Sequence, residues 1–183
     1  TRLVGSEMCI RDSLMALELQ PGDEVILPAF TYIAAAEVVA LLGLTPVLVD
    51  VDPCTFNIDP RKIEAAVSER TKAVVAVHLF GQACDMEPIM ALADAYHLYV
   101  VEDNAQSIGA DYAFSDGKVR KAGTIGHIGT TSFFPSKPLA CYGDGGALMT
   151  SDEALAARIL MIANHGQECK YHHRPVSYTH LTL

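Results

Sequence analysis

No apolar run in this 183-residue chain reaches the roughly 18 residues that a membrane-spanning helix needs. No basic run is present either, and the net charge is −9, from 13 Lys+Arg against 22 Asp+Glu. That balance argues against a nucleic-acid groove and against an anionic membrane surface. It leaves room for an anionic small molecule, because backbone dipoles and one lysine can hold a phosphate. The five cysteines (Cys9, Cys54, Cys84, Cys141 and Cys169) include no CxxC pair, and their wide, odd-numbered set does not form a disulfide framework. Thiols in a reducing compartment are expected. The N-terminus lacks the apolar core of a signal peptide, so a cytoplasmic location is expected.

Several motifs are missing as well. There is no GxxxxGK[ST] phosphate loop, and Gly143, Gly145 and Gly146 lack the strand–GxGxxG–helix context of a dinucleotide site. His78, Ser132 and Asp103 could be grouped as a hydrolase triad, but no GxSxG elbow supports it. His165, Cys169, His172 and His173 have no carboxylate at defined spacing, so no metal site is expected. What remains is half hydrophobic and 19% charged, a globular ratio. The length suits one domain or part of a larger one.

Both ends look foreign. Glu7-Met8-Cys9-Ile10-Arg11-Asp12-Ser13 back-translates as GAG ATG TGT ATA AGA GAC AG, and Pro175-Val176-Ser177-Tyr178-Thr179-His180-Leu181 as CCT GTC TCT TAT ACA CAT CT. The second string contains the reverse complement of AGATGTGTATAAGAGACAG, which lies in the first. One oligonucleotide read on opposite strands therefore encodes both ends, and it resembles the mosaic-end adaptor of transposon-made sequencing libraries. Residues 1–13 and 175–183 are expected to be adaptor-derived and are set aside from fold reasoning. Residues 14–174 are then expected to be an internal fragment of a longer protein, with no repeat, low-complexity run or linker inside it.

Within that segment strands and helices alternate. Leu14–Leu19 reads as the end of a helix closed by Pro21-Gly22. Val25–Leu27 is a strand, Ala34–Leu42 a helix stopped by Gly43, and Pro46–Val49 a strand. Asp59-Pro60 caps a helix over 61–68, Thr71–Val77 is a strand, Met86–Tyr96 a helix, and Leu98–Val101 a strand followed by Glu102-Asp103. Residues 109–129 are looser. A strand over 130–134 runs into Pro135-Ser136-Lys137-Pro138, another spans 147–150, and Ser151 caps a helix over 152–163. The nearly continuous apolar strands predict an α/β fold with a parallel sheet covered by helices. Its ligand belongs beyond the carboxyl ends of the strands.

The constellation there is Asp103, Gln106, Ser132 and Lys137. A carboxylate ending an apolar strand needs a cationic or hydrogen-bonding partner, such as a protonated pyridine nitrogen. A lysine held in an enclosed turn can form a Schiff base. Ser132 offers a hydroxyl suited to a phosphate. The plainer alternatives are a capping acid and a solvent-facing lysine.

Residues 14–174 resemble the large domain of the DegT/DnrJ/EryC1/StrS sugar aminotransferases, which are fold-type I pyridoxal-phosphate enzymes. The motifs are Pro-Gly-Asp-Glu-Val-Ile (21–26), Pro-Ala-Phe-Thr-Tyr (28–32), Asp-Val-Asp (50–52), His-Leu-Phe-Gly (78–81) and Val-Glu-Asp-Asn-Ala-Gln-Ser (101–107). Ser-Phe-Phe-Pro-Ser-Lys (132–137), Gly-Asp-Gly-Gly-Ala (143–147) and Asn164-His165-Gly166 complete the set in the family's order and spacing. Residues 131–146 and 165–173 are most similar to aminotransferases acting on a UDP-linked 3-keto-N-acetylglucosaminuronic acid.

The resemblance implies part of an aspartate-aminotransferase-like large domain, a three-layer sandwich around a mostly parallel sheet. It implies pyridoxal 5′-phosphate as cofactor, Lys137 as the Schiff-base lysine and proton carrier, and Asp103 as the partner of the pyridinium nitrogen. Gln106 would lie against the ring or its phenolic oxygen, Ser132 would hold the phosphate, and Tyr32 would stack on the ring. Tyr32 and Phe30 as core aromatics are the alternative. It further implies a nucleotide-linked keto sugar, an amino-acid donor such as glutamate, a homodimeric parent and a role in surface polysaccharide synthesis. Related dehydratases carry histidine where Lys137 stands, so Lys137 favours transamination. A dehydratase, a non-catalytic binding protein on this scaffold, and a fragment without function are the rival readings. Two features depart from the pattern. The family's Gly-Thr phosphate cradle at the first helix is replaced by the adaptor-like residues, and the C-terminal small domain has no counterpart, so negligible turnover is expected of this chain alone. Sequencing the source DNA outward from codons 14–174 tests the reading of the ends: the adaptor codons are expected to give way to an upstream Gly-Thr and a downstream domain, and a genome encoding both tails as written would refute it.

Overall fold

The computed structural model describes residues 6–164, 167–169 and 172–173. The expected tail 175–183, and His165-Gly166 of the last motif, lie outside the described residues. In chain order the elements are α1 (Ser6–Ala16), β1 (Glu24–Pro28), α2 (Ala34–Leu41), β2 (Thr45–Val49), α3 (Pro60–Ala66), β3 (Thr71–Val77), α4 (Met86–Tyr96) and β4 (Tyr99–Asp103). They continue with β5 (Asp111–Ala113), β6 (Val119–Lys121), β7 (Ile128–Ser132), β8 (Gly146–Met149), α5 (Glu153–Ala163), β9 (Gln167–Cys169) and β10 (His172–His173).

One six-stranded sheet runs in the order β2-β1-β3-β4-β7-β8. Every pairing in it is parallel except that β8 is antiparallel to β7. Alternation along each strand sorts the apolar side chains into two cores. Val25, Leu27, Ala73, Val75, Val77 and Val101 pack with the residues of α1, α2 and α5. Ile26, Val74, Ala76 and Val100 pack with Ile63 of α3 and with Met86, Ile89 and Ala93 of α4. This makes the three-layer α/β sandwich. It also fixes an odd–even rule at the end of β3 and β4: Val77 and Asp103 pair in register on one face, while Ala76 and Glu102 pair on the other.

The helix signals act as expected in several places. Asp59 caps α3, its side chain accepting the Arg61 N–H, with Pro60 in the first turn. Glu24, buried at the start of β1, accepts hydrogen bonds from Ser68, Arg70 and Thr71 and pins the sheet at the end away from the candidate site.

Four expectations need correction. The cap of α5 is Asp152, which accepts the N–H groups of Ala154 and Leu155, rather than Ser151. β4 contains Glu102 and Asp103 instead of ending before them, because its pairing with β3 continues through both. β7 lies at 128–132, so Phe133 and Phe134 fall beyond it, and the looser stretch holds the β5–β6 hairpin. Its three-residue strands are too short to show a period. The first helix, α1, runs across the expected boundary at residue 13 and stops before Leu17. Cys9, Ile10, Asp12 and Ser13 are buried there, and the Asp12 carboxylate pairs with Arg11 at 3.5 Å.

The 122–129 segment is packed without slack. A Cβ at Gly129 of β7 would overlap the Gly123 carbonyl, and one at Gly126 would crowd the Val100 carbonyl. Gly129→Ala is therefore expected to cost about 3 kcal/mol through overpacking, read as a lowered urea midpoint.

Candidate active site

Parallel strands place the carboxyl ends of β1, β3, β4 and β7 along one edge of the sheet, and a cleft opens there. Its walls are Ile10 of α1, Thr31, Tyr32, Ala34 and Ala35 after β1, Val77 of β3, Asp103, Ala105 and Gln106 after β4, and Lys137 after β7. Four of the five predicted residues thus meet in one place: Tyr32, Asp103, Gln106 and Lys137.

Asp103 is the last residue of β4 and half-buried. Its Oδ1 accepts the Ala105 N–H at 3.0 Å, and its carbonyl accepts the His78 N–H at 3.0 Å. Burial pushes its carboxyl above the ordinary value, while the Ala105 N–H and the nearby charge of Lys137 pull the other way. Lys137 lies in the turn after β7, its N–H donating to the Phe134 carbonyl at 2.8 Å. Asp103 and Lys137 line the same cleft without a direct ion pair, together with small side chains such as Ala105 and Ala35. A flat ring with a protonated nitrogen and an aldehyde for the lysine fits the donor set.

The Gln106 side-chain oxygen accepts the Phe80 N–H at 2.9 Å, which leaves its NH2 group as a donor. Phe80 has a left-handed backbone, φ 56°, a strained state for a bulky residue. Tyr32 is 68% exposed and Phe30 is 50% exposed, so neither is a core aromatic. Phe30 instead meets Phe56 and Phe80 in an exposed group, with ring centroids 5.6 and 6.5 Å away.

Ser132 stands apart from the other four. It is buried at the end of β7, and its Oγ accepts the Phe134 N–H at 3.2 Å. The pairing of Asp103 with Thr130, two residues earlier, places Ser132 on the face of the sheet that Asp103 uses. The hydrolase grouping fails on geometry. His78 is fully buried, its Nε2 against Glu102 at 2.8 Å and its Nδ1 accepting the Cys84 N–H at 3.0 Å, so neither nitrogen reaches Ser132.

Among the described residues no cluster of His, Cys, Asp and Glu could hold a metal, and no helix is long and apolar enough to cross a membrane. Two larger depressions lie elsewhere. One lies between α1 and α2 around Arg11 and Glu37, the other around Asp52, Arg61 and Tyr112, and neither contains a predicted site residue. Sequence reasoning missed Ile10, Val77 and Glu102. Ile10 was set aside with the tail, and Val77 and Glu102 are silent until the β3–β4 register is known.

A lysine and a carboxylate lining one cleft at the strand ends of a mostly parallel sheet suit a ligand that carries both an aldehyde and a protonated ring nitrogen. The chain belongs to the DegT/DnrJ/EryC1/StrS aminotransferase family, whose family model matches residues 9–180. It is 51% identical over 179 residues to the UDP-2-acetamido-2-deoxy-3-oxo-D-glucuronate aminotransferase of Pseudomonas aeruginosa, covering 93% of this chain and 48% of that protein. Among solved structures it is similar to S. venezuelae DesV in complex with a ketimine intermediate: 40% identity, TM-score 0.88, 96% of this chain and 46% of that one. It is also similar to an E. coli GDP-4-keto-6-deoxy-D-mannose-3-dehydratase with bound hydrated PLP: 29% identity, TM-score 0.82, 93% and 44% covered. The chain spans about half the length of the relatives it matches.

Carbon-13 titration of the Asp103 carboxyl checks these electrostatics. Its pKa is expected above the ordinary carboxylate value, and Lys137→Met is expected to raise it further by removing the cation that opposes burial. A carboxyl raised on folding loses stability as pH climbs from its unfolded value through its folded one. Asp103→Asn is therefore expected to melt higher than the parent at neutral pH.

Proposed function

We propose that the chain is the cofactor-binding half of a pyridoxal-phosphate-dependent transferase that aminates a nucleotide-linked keto sugar for surface polysaccharide synthesis. The observation that carries this is the shared cleft of Asp103 and Lys137. Similarity to the P. aeruginosa enzyme supports a UDP-linked 3-keto uronic acid as substrate. The cofactor, when bound, supplies an electron sink for the carbanion formed at the substrate carbon.

The chain's own residues do the rest. Asp103 holds the proton at the ring nitrogen. Lys137 would hold the cofactor and would be the general acid and base that moves a proton at the reacting carbon. Gln106 would donate its amide N–H toward the ring oxygen, Tyr32 would cover one ring face, and Ser132, buried on the same face of the sheet, would offer its hydroxyl proton to the phosphate. Glutamate is the amino donor, and the two half-reactions follow ping-pong kinetics. Lys137, where the dehydratases of this family carry histidine, favours transamination over dehydration. Intact Asp103, Ser132 and Lys137 speak against a purely non-catalytic binding protein.

The parent enzyme is homodimeric and cytoplasmic, with neither nucleic acid nor membrane as partner, in keeping with the net charge of −9. Residues 1–13 and 175–183 are adaptor-derived, and 14–174 is the native part of the large domain. The coding coincidence of the two ends supports this. Incubation with pyridoxal phosphate followed by borohydride reduction and peptide mass mapping tests the cofactor reading. The label is expected on Lys137, and its loss in Lys137→Ala without relabelling elsewhere completes the test. Labelling scattered over the surface lysines would refute the reading.

A further inference from the structure

His78 and Glu102 are both fully buried, and the cleft does not include either of them. Both fall on the α3/α4 side of the sheet by the odd–even rule, with their neighbours Val77 and Asp103 on the cleft side. The hydrogen bonds of His78 are completely assigned. Its Nδ1 accepts the Cys84 N–H at 3.0 Å, so the ring proton sits on Nε2 and is donated to Glu102 Oε2 at 2.8 Å. Glu102 also accepts N–H groups from Gly123 at 2.7 Å, Ile125 at 2.6 Å and Gly126 at 2.5 Å. Burial pushes the Glu102 carboxyl up, but the bonds from His78, Gly126 and Gly123 outweigh it and leave it below its ordinary value. The carboxylate is therefore ionised and satisfied.

The main chain of His78 holds both flanks of the Asp103–Gln106 turn. Its N–H donates to the Asp103 carbonyl at 3.0 Å, and its carbonyl accepts the Ser107 hydroxyl at 2.6 Å. Two residues on, the Phe80 N–H donates to the Gln106 side chain at 2.9 Å. The ring is thus fastened to the far layer, and the backbone of the same residue is fastened to the turn that carries two cleft residues.

We infer that His78 is a positioning residue, locked by the buried Glu102 carboxylate, that sets where the Asp103 carboxyl and the Gln106 amide stand in the cleft. The inference rests on the proposed cofactor role of Asp103 only for its consequence; the clamp itself exists without cofactor. The titratable and charged groups that act on Asp103 are Lys137 across the cleft and Cys9 from α1 on its own side, with His78 and Cys84 on the other side of the sheet.

The test compares the full chain with His78→Leu, His78→Gln and Glu102→Gln by amide and carboxyl NMR. His78→Leu is expected to move the Ala105 and Ser107 amides and to shift the Asp103 titration away from its parental value. The amides of β1 and β2, remote from the clamp, are expected to stay in place. His78→Gln, which keeps a donor to Glu102, is expected to restore the parental Asp103 titration, a recovery that a residue acting by packing alone would not show. Parental Ala105, Ser107 and Asp103 signals in a folded His78→Leu would overturn the inference, as would failure of His78→Gln to restore them. If His78→Leu does not fold, Glu102→Gln decides: the same displacement supports the clamp, and parental signals overturn it. Borohydride labelling separates the two readings. Loss of label in His78→Leu with recovery in His78→Gln ties the clamp to the cofactor. No label in the parent, with the NMR response intact, refutes the cofactor reading and leaves the clamp standing.

Discussion

Two adjacent carboxylates at the end of β4 face opposite layers of the sandwich, and the contrast between their surroundings organises the functional end of the molecule. Glu102 turns toward α3 and α4 and receives three backbone N–H groups and an imidazole N–H. Asp103 turns toward α1 and α2, where one backbone N–H meets it and the facing Lys137 stays at a distance. An ionised group out of water needs full compensation. Glu102 has it and behaves as part of the frame. Asp103 has one such bond and stands half-buried in the cleft.

This division explains the tightness of the segment that follows. Residues 122–129 bring three N–H groups to a single carboxylate, and a chain curled so closely has no room for side chains at Gly126 and Gly129. The glycines there serve packing more than turn geometry, since Gly129 lies in a regular strand. The frame around Glu102 is rigid for a local reason, and the cleft inherits that rigidity through the hydrogen bonds of His78 to Asp103 and Ser107. Preorganisation of this kind lets a site hold a group at fixed geometry without reordering its own side chains.

The predicted residues do not all lie together. Tyr32, Asp103, Gln106 and Lys137 converge, whereas Ser132 shares the sheet face but is buried with its oxygen engaged by the Phe134 N–H. The first helix is the other point of strain between sequence and fold. α1 supplies Ile10 to the cleft wall, yet buries the polar Asp12 and Ser13 beside the apolar core.

Much of this was legible in the residues alone. The continuous apolar runs at 25–27, 71–77 and 98–101 required strands covered on both faces, and Asp59-Pro60 required a helix start. Those are local demands of hydrophobicity and backbone chemistry, so they survive without a partner in view. Asp103 and Lys137 stood out through the family's motifs around them, since the residues alone left a capping acid and a solvent-facing lysine open. The β5–β6 hairpin, the true extent of β4 and β7, and the cap of α5 depended on pairings and side-chain choices that no local pattern specifies. The role of His78 and Glu102 was hidden for a deeper reason. Which face a residue takes at a strand end is set by register against the neighbouring strand, and only the tertiary structure decides that.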